Sequence, residues 1–388
     1  MDISHRAKRI KPFYVMELLE KAKELEKQGE DIIHMEIGEP DFATPELVKE
    51  AAIKAIKDNR TFYTHSLGLP ELREKISEFY FNNDGINVSP DKIIITEGTS
   101  GAFFLLFATL IERGKILGIP DPGYPCYKNF GHLVDAQILP IQVSEETKFE
   151  VTKDLLGAVK ESPDLLVISS PSNPTGRVYA HDTILNLWDF LREKKSNLIV
   201  DEIYSGLYYK GKIKSSLSLS DEIIAVNGFS KTYAMTGWRL GWVVVPQELV
   251  RPIQKIAQNL FISPPTISQY AAIKAFDAVE ELEEMRKTYR KRKDFLIPEL
   301  KRLGFNIFVE PEGAFYIYAG IERWGIDSME FVERGLLEAK VALTPGYDFG
   351  LFKAGSHIRF SYTNSLENLK KGCERLGKWL KVLTSEKK

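Results

Sequence analysis

The chain of 388 residues is 44% hydrophobic and 27% charged, and its formal net charge is −2. This length suggests about two to three domain equivalents, and the composition is ordinary for a globular protein. The near-zero charge excludes a general electrostatic attraction to nucleic acid or to an anionic membrane.

Cysteine usage and the first residues predict a cytoplasmic protein. The two cysteines, Cys126 and Cys373, lie far apart and in no metal-ligand pattern. That excludes a disulfide framework and is typical of a reducing compartment. Residues 1–9 lack the apolar core of a secretory signal, and the longest apolar run, residues 102–111, is too short to span a bilayer. We therefore expect no metal, nucleic-acid or membrane partner.

The N-terminal part predicts an arm and a helix up to about residue 30, because apolar residues recur there at helical spacing. A strand over residues 31–37 then runs into a turn at Gly38, where a missing side chain lets a ligand approach the backbone. A simple turn explains Gly38 equally well. Thr44 predicts the N-cap of the next helix, and a polar-aromatic loop over residues 61–73 carries Tyr63.

A strand over residues 91–96 leads through a small-residue turn into an apolar helix. In this geometry backbone N–H groups and the positive helix end face an anion, and Thr99 and Ser100 lie in the turn. A plain strand-to-helix connection is the alternative. After the strand over residues 115–120, Tyr124 lies between two prolines. There it could stack on a planar ring or be an ordinary packed tyrosine.

Two further predicted strands end in polar side chains. The strand over residues 165–170 leads into a loop dense in turn formers, which offers the amide of Asn173 where open α/β sheets bind ligands. The strand over residues 197–201 ends in Asp201, and Tyr204 follows three residues later. A carboxylate after an apolar run is rarely left unpaired. Its partner could be a cation, a metal or a protonated ring nitrogen.

The segment between residues 227 and 241 carries the most specific chemistry. Ser230 and Arg239 can bind a phosphate, one through its hydroxyl and one through its guanidinium. Lys231 lies between them, and a lysine with an available amine forms Schiff bases with carbonyls. These groups together predict a site for pyridoxal 5′-phosphate. A surface turn with ordinary cations is the alternative.

The remaining chain has an α+β rhythm. Helical periodicity covers about residues 266–303, and its basic run at residues 286–293 is attributed to a solvated face, because Glu283 faces Lys287 at i,i+4. Arg359 interrupts a later apolar strand. We expect its partner by default to be a carboxylate of the protein, and the alternative that would indicate function is a carboxylate of the substrate. Strands are predicted here over residues 305–309, 314–319, 341–346 and 357–362.

Strands alternate with helices from about residue 90 to 260, which predicts an α/β fold with a mostly parallel central sheet and helices on both faces. Together, the motifs resemble fold type I pyridoxal-phosphate-dependent aminotransferases of class I/II, the aspartate aminotransferase-like family. We expect a large cofactor-binding domain over residues 46–279 and a smaller α+β domain from residues 1–45 and 280–388. The matching positions are, in chain order, Gly38, Tyr63 with residues 68–73, residues 98–100, Tyr124, residues 172–176, residues 201–204, Ser230, Lys231, Arg239 and Arg359.

The resemblance implies a role for each candidate residue. Lys231 would form the Schiff base and then shuttle the proton, Asp201 would keep the pyridinium nitrogen protonated, and Tyr204 would complete the catalytic set. The resemblance also implies that Tyr204 and Asn173 bond the phenolic oxygen of the cofactor ring and that Tyr124 stacks on the ring. The cofactor phosphate would be held by Thr99, Ser100, Ser230 and Arg239, while Tyr63 would reach the phosphate of the neighbouring subunit. The substrate would be bound by Arg359, Asn173, Gly38 and Tyr124.

The implied function is transfer of an amino group from an L-amino acid, with aspartate or glutamate favoured, to a 2-oxo acid such as 2-oxoglutarate. The implied mechanism is ping-pong, in a homodimer with sites at the subunit interface. One departure concerns the arginine that many aspartate aminotransferases supply some thirty residues past the lysine. Residues 259–265 contain no cation. Alanine or aromatic aminotransferases therefore stay open, as does a C–S β-lyase on the same fold.

Two alternatives come from other classes of protein. Residues 198–202 look like a Walker B strand and residues 228–232 faintly like a phosphate loop, which would indicate a P-loop ATPase. Ser230 stands where that loop requires glycine, and the Walker B strand would precede the loop. A non-catalytic binding protein on the same fold is the other alternative, against which Lys231, Asp201 and Arg359 all argue.

Overall fold

The computed structural model describes residues 2–386. Its strands are β1 (Ile33–His34), β2 (Ile93–Thr96), β3 (Ile116–Asp121), β4 (Gln137–Gln142), β5 (Leu165–Ser169), β6 (Asn197–Asp201), β7 (Ile224–Gly228), β8 (Gly241–Val244), β9 (Tyr316–Gly320), β10 (Val341–Ala342), β11 (Thr344–Pro345) and β12 (His357–Ser361). Its α-helices are α1 (His5–Arg9), α2 (Tyr14–Lys27), α3 (Glu46–Lys57), α4 (Pro70–Asp84), α5 (Gly98–Leu110), α6 (Pro125–Leu133), α7 (Lys153–Ala158), α8 (His181–Glu193), α9 (Gln247–Leu260), α10 (Thr266–Ile273), α11 (Val279–Leu303), α12 (Ser328–Arg334) and α13 (Leu366–Ser385).

A seven-stranded sheet in the order β2-β8-β7-β6-β5-β3-β4 forms the centre of the larger part. Strand β8 runs antiparallel to both of its neighbours, whereas the remaining pairs are parallel. The strands β3 and β5 are buried along their whole length. Such continuous apolar strands are expected where a parallel sheet is covered on both faces. The prediction of a mostly parallel sheet is therefore confirmed.

Helices cover both faces of this sheet because side chains alternate along each strand. Val167 and Ile199 belong to one core cluster with residues of α5 and α9, such as Phe103 and Ile253. The neighbouring residues in β5 and β6 point the other way and pack with α8, as Leu198 does. The predicted two-sided covering is therefore confirmed.

Both chain ends contribute to a second core. The antiparallel sheet β11-β12-β9 and the parallel pair β1-β10 lie in this part of the fold. Leu18 and Ala22 of α2 share one hydrophobic cluster with Leu300 of α11 and Leu376 of α13. This sharing supports a domain formed from both chain ends, and its bounds at residues 1–45 and 280–388 stay a prediction, as do those of the larger domain at 46–279.

Some local predictions are wrong. The segment 305–309 forms one isolated bridge, between Asn306 and Gly320, instead of a strand. Pro45 takes the N-cap position of α3, because the Thr44 hydroxyl donates to the Ala234 carbonyl oxygen at 2.8 Å. The basic run of α11 is only partly a solvated face, since Arg292 is buried.

The ion pairs of α11 also differ from the expected pattern. Glu283 pairs with Arg286 at i,i+3 rather than with Lys287. Arg292 donates from both terminal nitrogens to the Asp41 carboxylate, at 2.7 and 2.8 Å. Within residues 2–386, no helix is long and apolar enough to cross a membrane.

Candidate active site

A cleft of about 300 Å³ opens where β2, β3, β5, β6 and β7 reach their carboxyl ends. Ligands bind at this edge in open α/β sheets. Every predicted site residue except Tyr63 lines the cleft, namely Gly38, Thr99, Ser100, Tyr124, Asn173, Asp201, Tyr204, Ser230, Lys231, Arg239 and Arg359. The side chain of Tyr63 is 76% exposed and lies outside this lining.

Lys231 lies in the turn after β7 and points its amine into the cleft. Its Nζ donates to the Gly38 carbonyl oxygen at 2.7 Å, and no carboxylate of residues 2–386 lies within 4 Å of it. Burial lowers the pKa of Lys231 to about 8; the charge of Glu39 opposes this shift, and the charges of Arg359 and Arg239 add to it. The amine is therefore more easily neutral than an ordinary lysine, as a nucleophile or base requires.

Asp201 ends β6 as a buried carboxylate with 4% of its surface exposed. Its Oδ2 accepts a hydrogen bond from the Tyr127 hydroxyl at 2.6 Å, and its Oδ1 accepts one from the Ile203 N–H at 3.1 Å. Burial raises the pKa of Asp201 to about 6, although both hydrogen bonds and the charge of Lys231 act to lower it. No cation in the described part of the chain lies within 4 Å of this carboxylate.

One end of the cleft is arranged for an anion. Helix α5 begins there at Gly98 with no side-chain cap, so its first N–H groups remain available beside Thr99 and Ser100. The side chain of Arg239 is exposed, and its Nη1 donates to the Thr236 carbonyl oxygen at 3.0 Å. Within residues 2–386 no carboxylate pairs with it.

Glycine is required where the backbone and Arg239 converge at this end. A Cβ atom at Gly98 would lie 2.7 Å from Arg239 Nη2, and one at Gly241 would lie 2.9 Å from the Thr99 nitrogen. Both distances are shorter than real Cβ contacts, so Arg239 and the start of α5 come this close only with glycine at positions 98 and 241.

The cleft is also lined by Arg359, which is only 4% exposed. Its Nη1 donates to Asn173 Oδ1 at 2.9 Å, and its Nη2 donates to the Glu36 carbonyl oxygen at 2.6 Å. The guanidinium carbon lies 4.2 Å from the centre of the Tyr316 ring. Its Nε lacks a hydrogen-bond partner, and no carboxylate of the described residues lies within 4 Å. The default prediction of a protein carboxylate partner is therefore wrong.

Several lining residues were missed from the sequence. Tyr127 follows Tyr124 at helical spacing in α6, and the two rings meet edge to face at 5.3 Å. That i,i+3 spacing could have indicated it. The Tyr316 hydroxyl lies 2.7 Å from the Tyr204 hydroxyl, across 112 positions of sequence, so no local signal could have found it. The other missed residues are Phe13, Val15, Met16, Ile37, Glu39, Ser169, Ile203 and Thr236.

The sequence model of the family described as aminotransferase class I and II matches residues 30–376. The chain belongs to this aminotransferase family. It is 41% identical to a (5-formylfuran-3-yl)methyl phosphate transaminase of Methanocaldococcus jannaschii, over 97% of this chain and 99% of that one. It is 35% identical to an aspartate/prephenate aminotransferase of Thermus thermophilus, over 97% and 98% of the two chains.

A solved structure agrees with these relatives. An aminotransferase from Mycobacterium tuberculosis superposes with a TM-score of 0.95 at 34% identity, covering 98% of this chain and 100% of that one. The predicted fold type I architecture is confirmed, and this aminotransferase is an enzyme that depends on pyridoxal phosphate, as its family does. The P-loop ATPase and the non-catalytic protein are thereby set aside.

The residues of the cleft fit this cofactor. Its phosphate requires N–H and hydroxyl donors with positive charge, which the uncapped start of α5, Ser230 and Arg239 offer. Its aldehyde requires an amine without an acid partner, as Lys231 is among the described residues. Its ring nitrogen requires a buried carboxylate without a cation beside it, as Asp201 is in the same part of the chain. Within residues 2–386, no three acidic, histidine or cysteine side chains form a group that could hold a metal ion.

Proposed function

We propose that this aminotransferase moves an amino group from an L-amino acid to a 2-oxo acid, such as 2-oxoglutarate, by a ping-pong mechanism. The observation that carries the proposal is that one cleft contains three buried or half-buried charges without counter-ions among the described residues. These are the amine of Lys231, the carboxylate of Asp201 and the guanidinium of Arg359. Each matches one charged or reactive group of the cofactor or of an amino acid.

Pyridoxal phosphate, when bound, supplies an aldehyde that accepts the amino group and a ring that withdraws electrons from the substrate α-carbon. Lys231 would hold this group covalently and, once displaced by the substrate, its Nζ would take the proton from the α-carbon. A proton shuttle works best with a pKa close to the working pH. The pKa of Lys231, lowered to about 8 by burial, supports this role.

Asp201 would accept a hydrogen bond from the protonated ring nitrogen. Tyr127 donates to Asp201 Oδ2, and this bond fixes the orientation of the carboxylate. Tyr204 and Asn173 would bond the phenolic oxygen, since both line the cleft. Tyr124 would stack on the ring, while Thr99, Ser100, Ser230 and Arg239 would hold the phosphate.

Arg359 would bind the α-carboxylate of the substrate, with help from Asn173, Tyr124 and the backbone of Gly38. Charge-assisted bonds between a guanidinium and a carboxylate are strong where water is excluded, and Arg359 has free donor capacity at its Nε. Because every amino acid carries this carboxylate, the contact would be common to all donors. Aspartate or glutamate as the favoured donor remains a prediction.

A second copy of the chain would complete the site. Two exposed apolar segments lie together, one with Phe62 and Tyr63 and the other with Leu260 and Ile262. The Thr266 hydroxyl donates to the Phe62 carbonyl oxygen at 2.8 Å and links the two segments. Exposed apolar patches of this kind mark interfaces. We infer a homodimer in which Tyr63 reaches the phosphate of the neighbouring subunit, in a cytoplasmic protein of amino-acid metabolism.

A panel of amino donors with 2-oxoglutarate or pyruvate as acceptor tests the reaction. We expect a new amino acid to form from the acceptor in equal amount to the donor consumed. Release of pyruvate and ammonia without any acceptor would instead indicate the β-lyase. Mass spectrometry after borohydride reduction should place the cofactor on Lys231, and an adduct on another lysine would refute the assigned site.

A further inference from the structure

The start of α2 forms an apolar wall on one side of the cleft. Phe13, Val15 and Met16 line the cleft together with Lys231 and Arg359. Phe13 occupies the N-cap position, where its side chain offers no hydrogen-bond acceptor to the first turn. A helix start of this kind needs acceptors from elsewhere. The position of this wall therefore depends on another part of the chain.

Asp348 supplies those acceptors from 333 residues away in sequence. Its Oδ1 accepts the Tyr14 N–H at 2.8 Å, and its Oδ2 accepts the Val15 N–H at 3.0 Å. The carboxylate is 5% exposed, so water competes little with these bonds. Both oxygens thus accept hydrogen bonds from the first turn of α2, where a negative charge also interacts favourably with the positive end of the helix dipole.

The segment that carries Asp348 is fixed to the large sheet and to Arg359. The Gly123 N–H, just after β3, donates to the Phe349 carbonyl oxygen at 2.8 Å. The Asp121 carboxylate accepts the N–H groups of Leu351 and Phe352. The ring of Phe349 has its centre 4.8 Å from the Arg359 guanidinium carbon. Asp348 therefore joins the wall to a segment that also contacts the proposed carboxylate-binding arginine.

We propose that Asp348 is a positioning residue that holds Phe13, Val15 and Met16 against the side chain of the amino donor and so favours larger apolar side chains over that of alanine. This inference rests on the proposed function. It assigns the α-carboxylate to Arg359 and the side chain to the wall, so the two contacts respond to different features of the substrate. Alanine reaches Arg359 as well as leucine does, but offers the wall almost no surface.

The test compares donors in the holoenzyme. Asp348→Asn keeps the size of the side chain but turns one acceptor into an N–H donor that faces the helix start. We expect the KM for leucine and phenylalanine to rise roughly tenfold and that for alanine to rise less than about threefold, since apolar contact scales with buried area. The absorbance of the bound cofactor should stay that of the wild type, because Asp348 lies outside the proposed cofactor contacts.

A second variant removes the same bond from the other side. Tyr14→Pro deletes the N–H that donates to Asp348 Oδ1. Proline is tolerated in the first turn of a helix, and Phe13 before it already has an extended backbone. This variant should show the same selective rise in KM, and it decides the question if Asp348→Asn does not fold. Ser365→Ala is the matched control, since Ser365 accepts the Asn368 N–H at the start of α13 and does not line the cleft.

The outcomes separate cleanly. A KM rise for large apolar donors in both Asp348→Asn and Tyr14→Pro but not in Ser365→Ala supports the proposal. An equal rise for all donors, no rise, or a wild type that accepts no donor larger than alanine overturns it. Failure of the proposed function looks different, because then the wild type would transfer no amino group from any donor.

Discussion

Replacing Arg359 with leucine should remove most donor binding while costing little stability. The guanidinium is buried but has no carboxylate within 4 Å among residues 2–386, so its loss leaves no acid without a partner. The Glu36 carbonyl oxygen keeps the Thr344 hydroxyl as a donor at 2.9 Å. Two side-chain acceptors lose the donor that Arg359 provided, namely Asn173 Oδ1 at 2.9 Å and the Thr344 hydroxyl oxygen at 3.3 Å, and the Thr344 hydroxyl still has its bond to Glu36.

The magnitudes follow from these contacts. Two charge-assisted bonds to the substrate carboxylate are each worth about 1.5–3 kcal/mol, so kcat/KM should fall roughly 10²- to 10⁴-fold for every donor alike. Asn173 Oδ1, which is left without a donor in Arg359→Leu, costs about 1–3 kcal/mol of unfolding free energy. That cost is offset because the folded protein no longer buries a charged guanidinium. The net change in unfolding free energy should stay within about 2 kcal/mol.

Arg292→Leu is the matched control, because Arg292 is also buried but already has an acid partner in Asp41. Its removal leaves Asp41 without that partner and should cost about 2–3 kcal/mol, less than for a fully buried pair since the Asp41 side chain is 27% exposed. Its kcat/KM should stay near the wild-type value. Urea unfolding without cofactor and steady-state kinetics with three donors measure both effects. Equal losses of stability in the two variants, or an Arg359→Leu effect confined to one donor, would refute the reasoning.

Further predictions concern the chemistry and the assembly. Lys231→Ala should abolish turnover. In the cofactor-free wild type, Lys231 should be acylated faster than other lysines at pH 8, because about half of its amine is neutral there, whereas roughly one in 300 is neutral for a lysine with a pKa of 10.5. Equal labelling of all lysines would contradict the lowered pKa. Tyr127→Phe removes a bond that lowers the pKa of Asp201, so the acidic limb of the rate profile should move to higher pH, and an unmoved limb would contradict the contact. Mixing inactive Tyr63→Ala and Lys231→Ala subunits should restore about a quarter of the wild-type activity if sites are shared between two subunits, and none if they are not.

The sequence was enough to predict residues that follow strands or share one turn. Asp201 ends one apolar strand, Asn173 lies in the loop that follows another, and the carboxyl ends of parallel strands meet at one edge. Ser230, Lys231 and Arg239 lie within one short segment, so their chemistry could be recognised before their geometry was known.

Residues that depend on contacts between distant segments could not be predicted in this way. Asp348 caps a helix from across the fold, and a buried aspartate in a turn has many possible partners. The segment 305–309 alternates like a strand, yet Phe305 packs against Trp324 and Phe360, so tertiary packing overrides the local pattern. Threonine is likewise a favoured N-cap residue, but the hydroxyl of Thr44 donates a hydrogen bond to the Ala234 carbonyl oxygen instead.

The core shared by both chain ends has a consequence during synthesis on the ribosome. Ile33 of β1 pairs with Val341 of β10, so the first strand must wait for 341 − 33 = 308 further residues before its partner exists. At typical elongation rates of about 5–20 residues per second, this wait lasts roughly 15–60 s. During that time the apolar face of α2 stays uncovered on the nascent chain. We therefore expect the segment with α2 to be a binding site for chaperones until the strand β10 has been synthesised.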